Sequence, residues 1–157
     1  MDALVALALS IGVLIAGWTY VALGPGALPV WAGIVAWGCF FAAGGKTEGL
    51  TKTIAANLSG VFWAFLALTL WNRFGGGVPG LSLLVGASAI AMVLQAKIGI
   101  LGFIPGAFLG AATAVSVVVG ANGTWSRTIL ALVIGAILGY LSEMLAGVIS
   151  KPAKAAA

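Results

Sequence analysis

Glu143 lies inside the run "RTILALVIGAILGYLSEMLAGVIS", four residues past Gly139 and eight past Gly135. On a helix those spacings put the acid and the glycines on one face, together with Ala131 and Gly147. Holding an ionised carboxylate near the centre of a membrane helix costs about 2.5–3.5 kcal/mol on insertion scales. Glu143 is therefore expected to pair with a cation, with Lys97 as the partner, or to meet a solute. Three neutral groups accompany it: Asn57 and Ser59 in "AANLSGVFWA", and Gln95 in "QAK". Together these four side chains are expected to form a polar vestibule at the cytoplasmic side, where the chemistry is hydrogen bonding to a passing molecule.

Bond-making chemistry is excluded by inventory. The chain has no His, one Cys and three acids, and of the acids Asp2 is terminal while Glu48 sits between Lys46 and Lys52. The usual general base, a His-based metal site and a Ser–His arrangement are all missing. No enzyme, metal or cofactor is expected. Too few ionisable groups are present for a proton relay. Cys39 has no partner for an internal disulfide and reads as a small packed hydrophobe.

A second stretch, "ILGFIPGAFLGAA", places Pro105 among Gly102, Gly106 and Gly110, with Gly99 just before it. The glycines recur every three or four residues, which predicts a helix-packing face. Pro105 has no N–H to give to the Leu101 carbonyl. At membrane depth a freed carbonyl is tolerated only against protein or a water-filled cavity. The expectation is a kink or half-helix beside a hydrated path, with Pro105 and Gly106 at the break and Phe103 or Phe108 as a constriction.

The elements that must position these residues follow from composition. Hydrophobic residues make up 62% of the chain and charged residues 6%, with a mean hydropathy of +1.22. Runs such as "ALVALALSIGVLIAG" are apolar on every side, as helices are when lipid and other helices surround them, and the ten-residue alternation of a membrane barrel does not occur. Glycine, proline and charge clusters separate six apolar segments at about 3–23, 27–43, 51–72, 78–96, 98–120 and 127–149. The fold class is therefore an all-α polytopic membrane bundle of about six helices, one transmembrane domain over residues 1–157. Five spans plus a re-entrant piece at 98–120 is the alternative.

With both termini inside, Lys46, Lys52, Lys97, Lys151 and Lys154 lie on the cytoplasmic side, and Arg73 and Arg127 lie outside. Trp31, Trp71 and Trp125 sit at segment ends as interfacial aromatics, whereas Trp18, Trp37 and Trp63 lie deeper and read as packing residues. "NGT" at Asn122 matches a glycosylation acceptor but carries no functional weight here. The stretch from Lys52 overlays that from Arg127, matching Thr53 with Thr128, Ile54 with Ile129, Ala56 with Ala131, Gly60 with Gly135 and Leu66 with Leu141. This predicts repeat units over 1–75 and 76–150. Three spans each would make them inverted, with a solute path at their interface.

"WAGIVAWGCFFAAGG", "AANLSGVFWA", and "QAK" followed by "FIPGAFLGAA" resemble the YcdZ-like bacterial inner-membrane family, a domain of unknown function (DUF1097). The resemblance is clear over about 28–118 and implies a location in the bacterial inner membrane, with no activity to carry over. By fold-level analogy the chain is also similar to acid-activated urea channels, which assemble as rings. The functional expectation is a homo-oligomeric channel or transporter for a small, largely uncharged solute such as urea, ammonia or a short amide. Its partners are the lipid bilayer and the solute, with no nucleic acid. A non-conducting assembly or scaffold subunit is the rival.

Overall fold

The computed structural model describes residues 1–150. Lys151 and Lys154, counted above among the cytoplasmic cations, lie outside the described residues. Six α-helices follow in order: α1 Ala3–Leu23, α2 Val30–Ala42, α3 Lys46–Phe74, α4 Gly77–Leu94, α5 Ile104–Val115 and α6 Trp125–Ile149. No strand occurs among the described residues. The bundle is the polytopic helical membrane architecture expected from composition.

The helices are of two kinds. α1, α3, α4 and α6 are long and apolar enough to cross a bilayer. α2 has 13 residues, about 20 Å at 1.5 Å per residue, against a hydrocarbon core of about 30 Å. α5 has 12 residues and runs on into a wider turn over Ser116–Gly120. Both short helices begin beside a proline, Pro29 at the cap of α2 and Pro105 in the first turn of α5.

That placement corrects the expectation for residues 98–120. The chain from 95 to 101 forms two short 3₁₀ turns, Gln95–Lys97 and Gly99–Leu101, and α5 starts only at Ile104. Pro105 therefore does not interrupt a helix. In a first turn its missing N–H would have had no intrahelical partner in any case. Pro105 thus opens a short helix and does not kink a longer one, and the Leu101 carbonyl, in the preceding 3₁₀ turn, is not one that it frees.

Each short helix packs chiefly on one long helix, α2 on α6 and α5 on α3. Glycine makes both contacts possible. A Cβ on Gly60 would overlap the Ala107 carbonyl of α5, and one on Gly110 would overlap the backbone of Asn57. In the other pair a Cβ on Gly135 would overlap the Gly33 backbone, and one on Gly139 would lie 2.9 Å from the Phe40 ring. Gly110, Gly135 and Gly139 are thus packing residues as expected. Gly99 and Gly102 are not: nothing lies near a Cβ on Gly99, and Gly102 meets only its own turn. Both belong to the 3₁₀ segment and so leave the helical face that spacing assigned to them.

α3 and α6 run antiparallel, since Glu143 near the end of α6 reaches the start of α3 and Trp125 at the start of α6 stacks edge-on against Phe65. The interior between them is small and apolar, with Trp18, Ala32, Ala36, Val61, Leu132 and Ala136 among its buried residues. α4 stands apart. Its one buried residue is Met92.

Candidate functional site

The four polar residues expected in one vestibule occupy three separate places. Ser59 and Gln95 do meet. The Gln95 amide Nε2 donates to Ser59 Oγ at 2.8 Å, Gln95 Oε1 accepts from Trp63 Nε1 at 2.9 Å, and Ser59 Oγ donates to the Ala56 carbonyl at 2.7 Å. Trp63 was read from sequence as a packing residue. Its partner was hidden because Gln95 lies 32 positions away, beyond any helical spacing.

Glu143 lies elsewhere and has a different partner from the one expected. Its Oε2 accepts from the backbone N–H of Lys46 at 2.6 Å. Lys97 forms no ion pair among the described residues, whose single salt bridge joins Lys52 to Glu48 at 2.6 Å. The reason is local. Gly44, Gly45 and Lys46 have φ of 100°, 67° and 55°, a left-handed turn that two glycines accommodate readily. The cap position of α3 falls on Gly45, which has no side chain to offer the first N–H groups of the helix. Glu143 supplies the acceptor from α6, and a negative charge there also suits the helix dipole.

Asn57 occupies the third place, in the interior where α3 crosses α5. It is 1% exposed and Thr53, one turn earlier, 0%. The Asn57 side chain and the Cys39 thiol of α2 lie within weak hydrogen-bonding reach of each other, and neither amide atom of Asn57 nor Thr53 Oγ1 has a nitrogen or oxygen partner. A buried polar group left unpaired costs roughly 1–3 kcal/mol, and water is not at hand at membrane depth to relieve it. The contrast with the α1–α2–α6 junction is direct. There Ser10 Oγ donates to the Ser142 carbonyl at 2.8 Å, Trp37 Nε1 to Ser142 Oγ at 3.1 Å, and Ser142 Oγ to the Gly139 carbonyl at 2.6 Å.

The proposed narrow region is partly filled. A Cβ on Gly106 would lie 2.5 Å from the Phe103 ring and 2.9 Å from the Ala56 methyl, so Phe103 covers Gly106 and does not line an opening there. Phe108 does line one, a cavity of about 490 Å³ among α3, α4 and α5. Its other walls include Leu68, Leu81, Val85 and Met92, and they are mostly apolar, with Ser88 and Ser116 among them. No group of three or more His, Cys, Asp or Glu side chains able to hold a metal occurs among the described residues.

Two polar roles escaped the sequence reading. Asp2 caps α1, accepting from the N–H groups of Leu4 and Val5 at 2.9 and 3.3 Å. Thr124, the last residue of "NGT", caps α6 by accepting from Arg127 N at 3.3 Å. Asp2 opening an apolar run and Thr124 three residues before Arg127 were legible capping signals.

A family model described as protein of unknown function (DUF1097) matches residues 8–147, a range that includes the Pro105 helix and the tightly seated "AANLSGVFWA" face. The chain belongs to the DUF1097 family. Relatives of this DUF1097 chain include the inner membrane protein YcdZ of Escherichia coli K12, 34% identical over 146 residues that cover 89% of this chain and 83% of the relative. YcdZ of Salmonella typhimurium LT2 is 33% identical over 147 residues, covering 89% and 85%. The uncharacterized protein YahC of Escherichia coli K12 is 32% identical over 155 residues, covering 91% and 90%. No solved structure matches. Membership in DUF1097 thus agrees with the hydropathy of the helices: this is a membrane protein.

Proposed function

We propose that this DUF1097 protein is an inner-membrane channel or carrier for a small, largely uncharged solute of the urea, ammonia or short-amide class, built from two inverted three-helix units. The observation that carries this reading is the pair of short helices, each seated by glycine contacts on a long helix, α2 on α6 and α5 on α3. Short helices at membrane depth, met by long ones from an opposed unit, are a recurrent way to build a solute site at the midplane. A 75-residue shift supports the two units. Thr53, Ala56, Asn57, Gly60, Val61, Ala64 and Ala67 are buried on α3, and adding 75 to each number gives Thr128, Ala131, Leu132, Gly135, Ala136, Gly139 and Ser142, all buried on α6.

In this reading both termini are cytoplasmic. Ser59 and Gln95 form a polar cluster facing that side and Asn57 is buried at nearly the same level of α3, while Glu143 fixes the α3 entry. The chain acts as a homo-oligomer, for which α4, the least buried of the four long helices, offers a face. No bond-making step is assigned to it.

A non-conducting assembly subunit is the second reading, favoured by one observation: the opening beside Phe108 is mostly apolar and the glycine faces serve helix docking. Purified full-length protein in liposomes separates the two. Faster uptake of urea, ammonia or acetamide than in empty vesicles is the expected result. Uptake equal to empty vesicles for every solute leaves the assembly reading.

A further inference from the structure

We propose that Thr53 and Asn57, beside Cys39, form an occluded binding site for one small neutral molecule that both donates and accepts hydrogen bonds, as a primary amide or urea does. This deepens the transport reading and rests on it.

The argument starts from an asymmetry between two matching positions. On α6 the buried residues 75 positions after Thr53 and Asn57 are Thr128 and Leu132. Thr128 Oγ1 donates to the Thr124 carbonyl at 3.0 Å, and Leu132, 1% exposed, brings no polar atom. That corner of the bundle is closed and satisfied. At the matching corner of α3 the Thr53 hydroxyl has no partner and the Asn57 amide has no nitrogen or oxygen partner, only the Cys39 thiol within weak reach, although both residues are as deeply buried. Leu132, 75 residues on, fills the corresponding position of α6 without an amide.

The unpaired set has a definite chemistry. Asn57 presents two N–H donors and a carbonyl acceptor, and Thr53 adds a hydroxyl that does either. A primary amide answers that set from a single molecule, with its carbonyl toward Asn57 Nδ2 and its N–H toward Asn57 Oδ1. A charged ligand is disfavoured, because no ionised side chain is among these residues and burying an unpaired charge costs far more than burying a neutral amide.

Cys39 is the only cysteine in the chain and is buried, so its reaction with a small neutral thiol reagent, methyl methanethiosulfonate, reports opening of this site in the full-length protein reconstituted in liposomes. A bound amide covers the thiol. Labelling of Cys39 is expected to slow about tenfold or more as acetamide or urea approaches saturation, and glycerol, which lacks the amide pattern, is expected to protect less. Asn57→Leu is expected to fold with a melting temperature at or above that of the parent and to lose the protection. Thr53→Val, nearly the same shape, is expected to weaken it. Cys39 that never reacts, or that reacts at one rate with and without amides, overturns the proposal, as does full protection in Asn57→Leu. Protection without flux keeps this site and removes the transport reading. Flux that Asn57→Leu leaves intact, in a protein whose Cys39 is unprotected, keeps transport and removes this site.

Discussion

Glu143 Oε2 stands 2.6 Å from the backbone nitrogen of Lys46 and ties the end of α6 to the beginning of α3. An acid read from sequence as a lysine's partner is thus a helix cap supplied in trans. Glu143→Gln keeps an acceptor oxygen but loses the charge, and Glu143→Ala loses both. Capping and dipole interactions of this kind are worth about 0.5–2 kcal/mol. Both variants are expected to lower the melting temperature, Ala by more than Gln, whereas Lys97→Ala is expected to leave it unchanged. Thermal unfolding in detergent measures the order, and a Lys97→Ala effect as large as that of Glu143→Ala would restore the ion pair.

The glycines divide by what surrounds them. Gly60→Ala and Gly135→Ala drive a methyl into the backbone of the facing short helix, and overpacking of this kind costs roughly 1–3 kcal/mol or more. Gly86 of α4 has open space at its Cβ position. Gly86→Ala is expected to be neutral or to stabilise by up to about 1 kcal/mol. Melting temperatures of the three variants decide, and a Gly60→Ala protein as stable as the parent would mean that α3 and α5 are further apart than described.

The Ser59–Gln95–Trp63 cluster predicts coupling. Trp63→Phe leaves Gln95 Oε1 without its donor, and Ser59→Ala removes the acceptor for Gln95 Nε2. Each net hydrogen bond is worth about 0.5–1.5 kcal/mol, so Ser59→Ala and Gln95→Leu together are expected to cost less than the sum of the two alone. A double-mutant cycle on the unfolding midpoint measures this, and strict additivity would show that the residues do not interact.

Orientation is tested by single cysteines placed in a Cys39→Ala background. In spheroplasts, with a membrane-impermeant maleimide, Arg73→Cys and Arg127→Cys are expected to label from outside, and Lys46→Cys and Lys97→Cys only after the membrane is opened. The reverse pattern would place both termini outside.

How much was legible in advance depends on whether the cause was local. The apolar runs fixed six helices at nearly the observed places, because lipid leaves the backbone no partner but its own helix. The faces of α6 were equally readable, since Gly135 and Gly139 sit four apart and do pack on α2. Gly99 and Gly102 carried the same spacing and misled, because periodicity cannot tell a helix from the 3₁₀ turns that precede a proline-started one. Pro105 misled for the same reason: its effect depends on whether it opens a helix or interrupts one.

Sequence by itself determined the solvent of this protein, the number of its helices and, on α6, the small residues on which two of them close, since each follows from residue type and spacing within one segment. Tertiary structure alone decided the partners. That Glu143 serves Lys46 and not Lys97, that Ser59 finds Gln95, and that Asn57 finds no nitrogen or oxygen partner depend on which helices cross and at what depth. Those crossings are set by backbone approach between segments far apart in the chain, and no spacing along one segment encodes them.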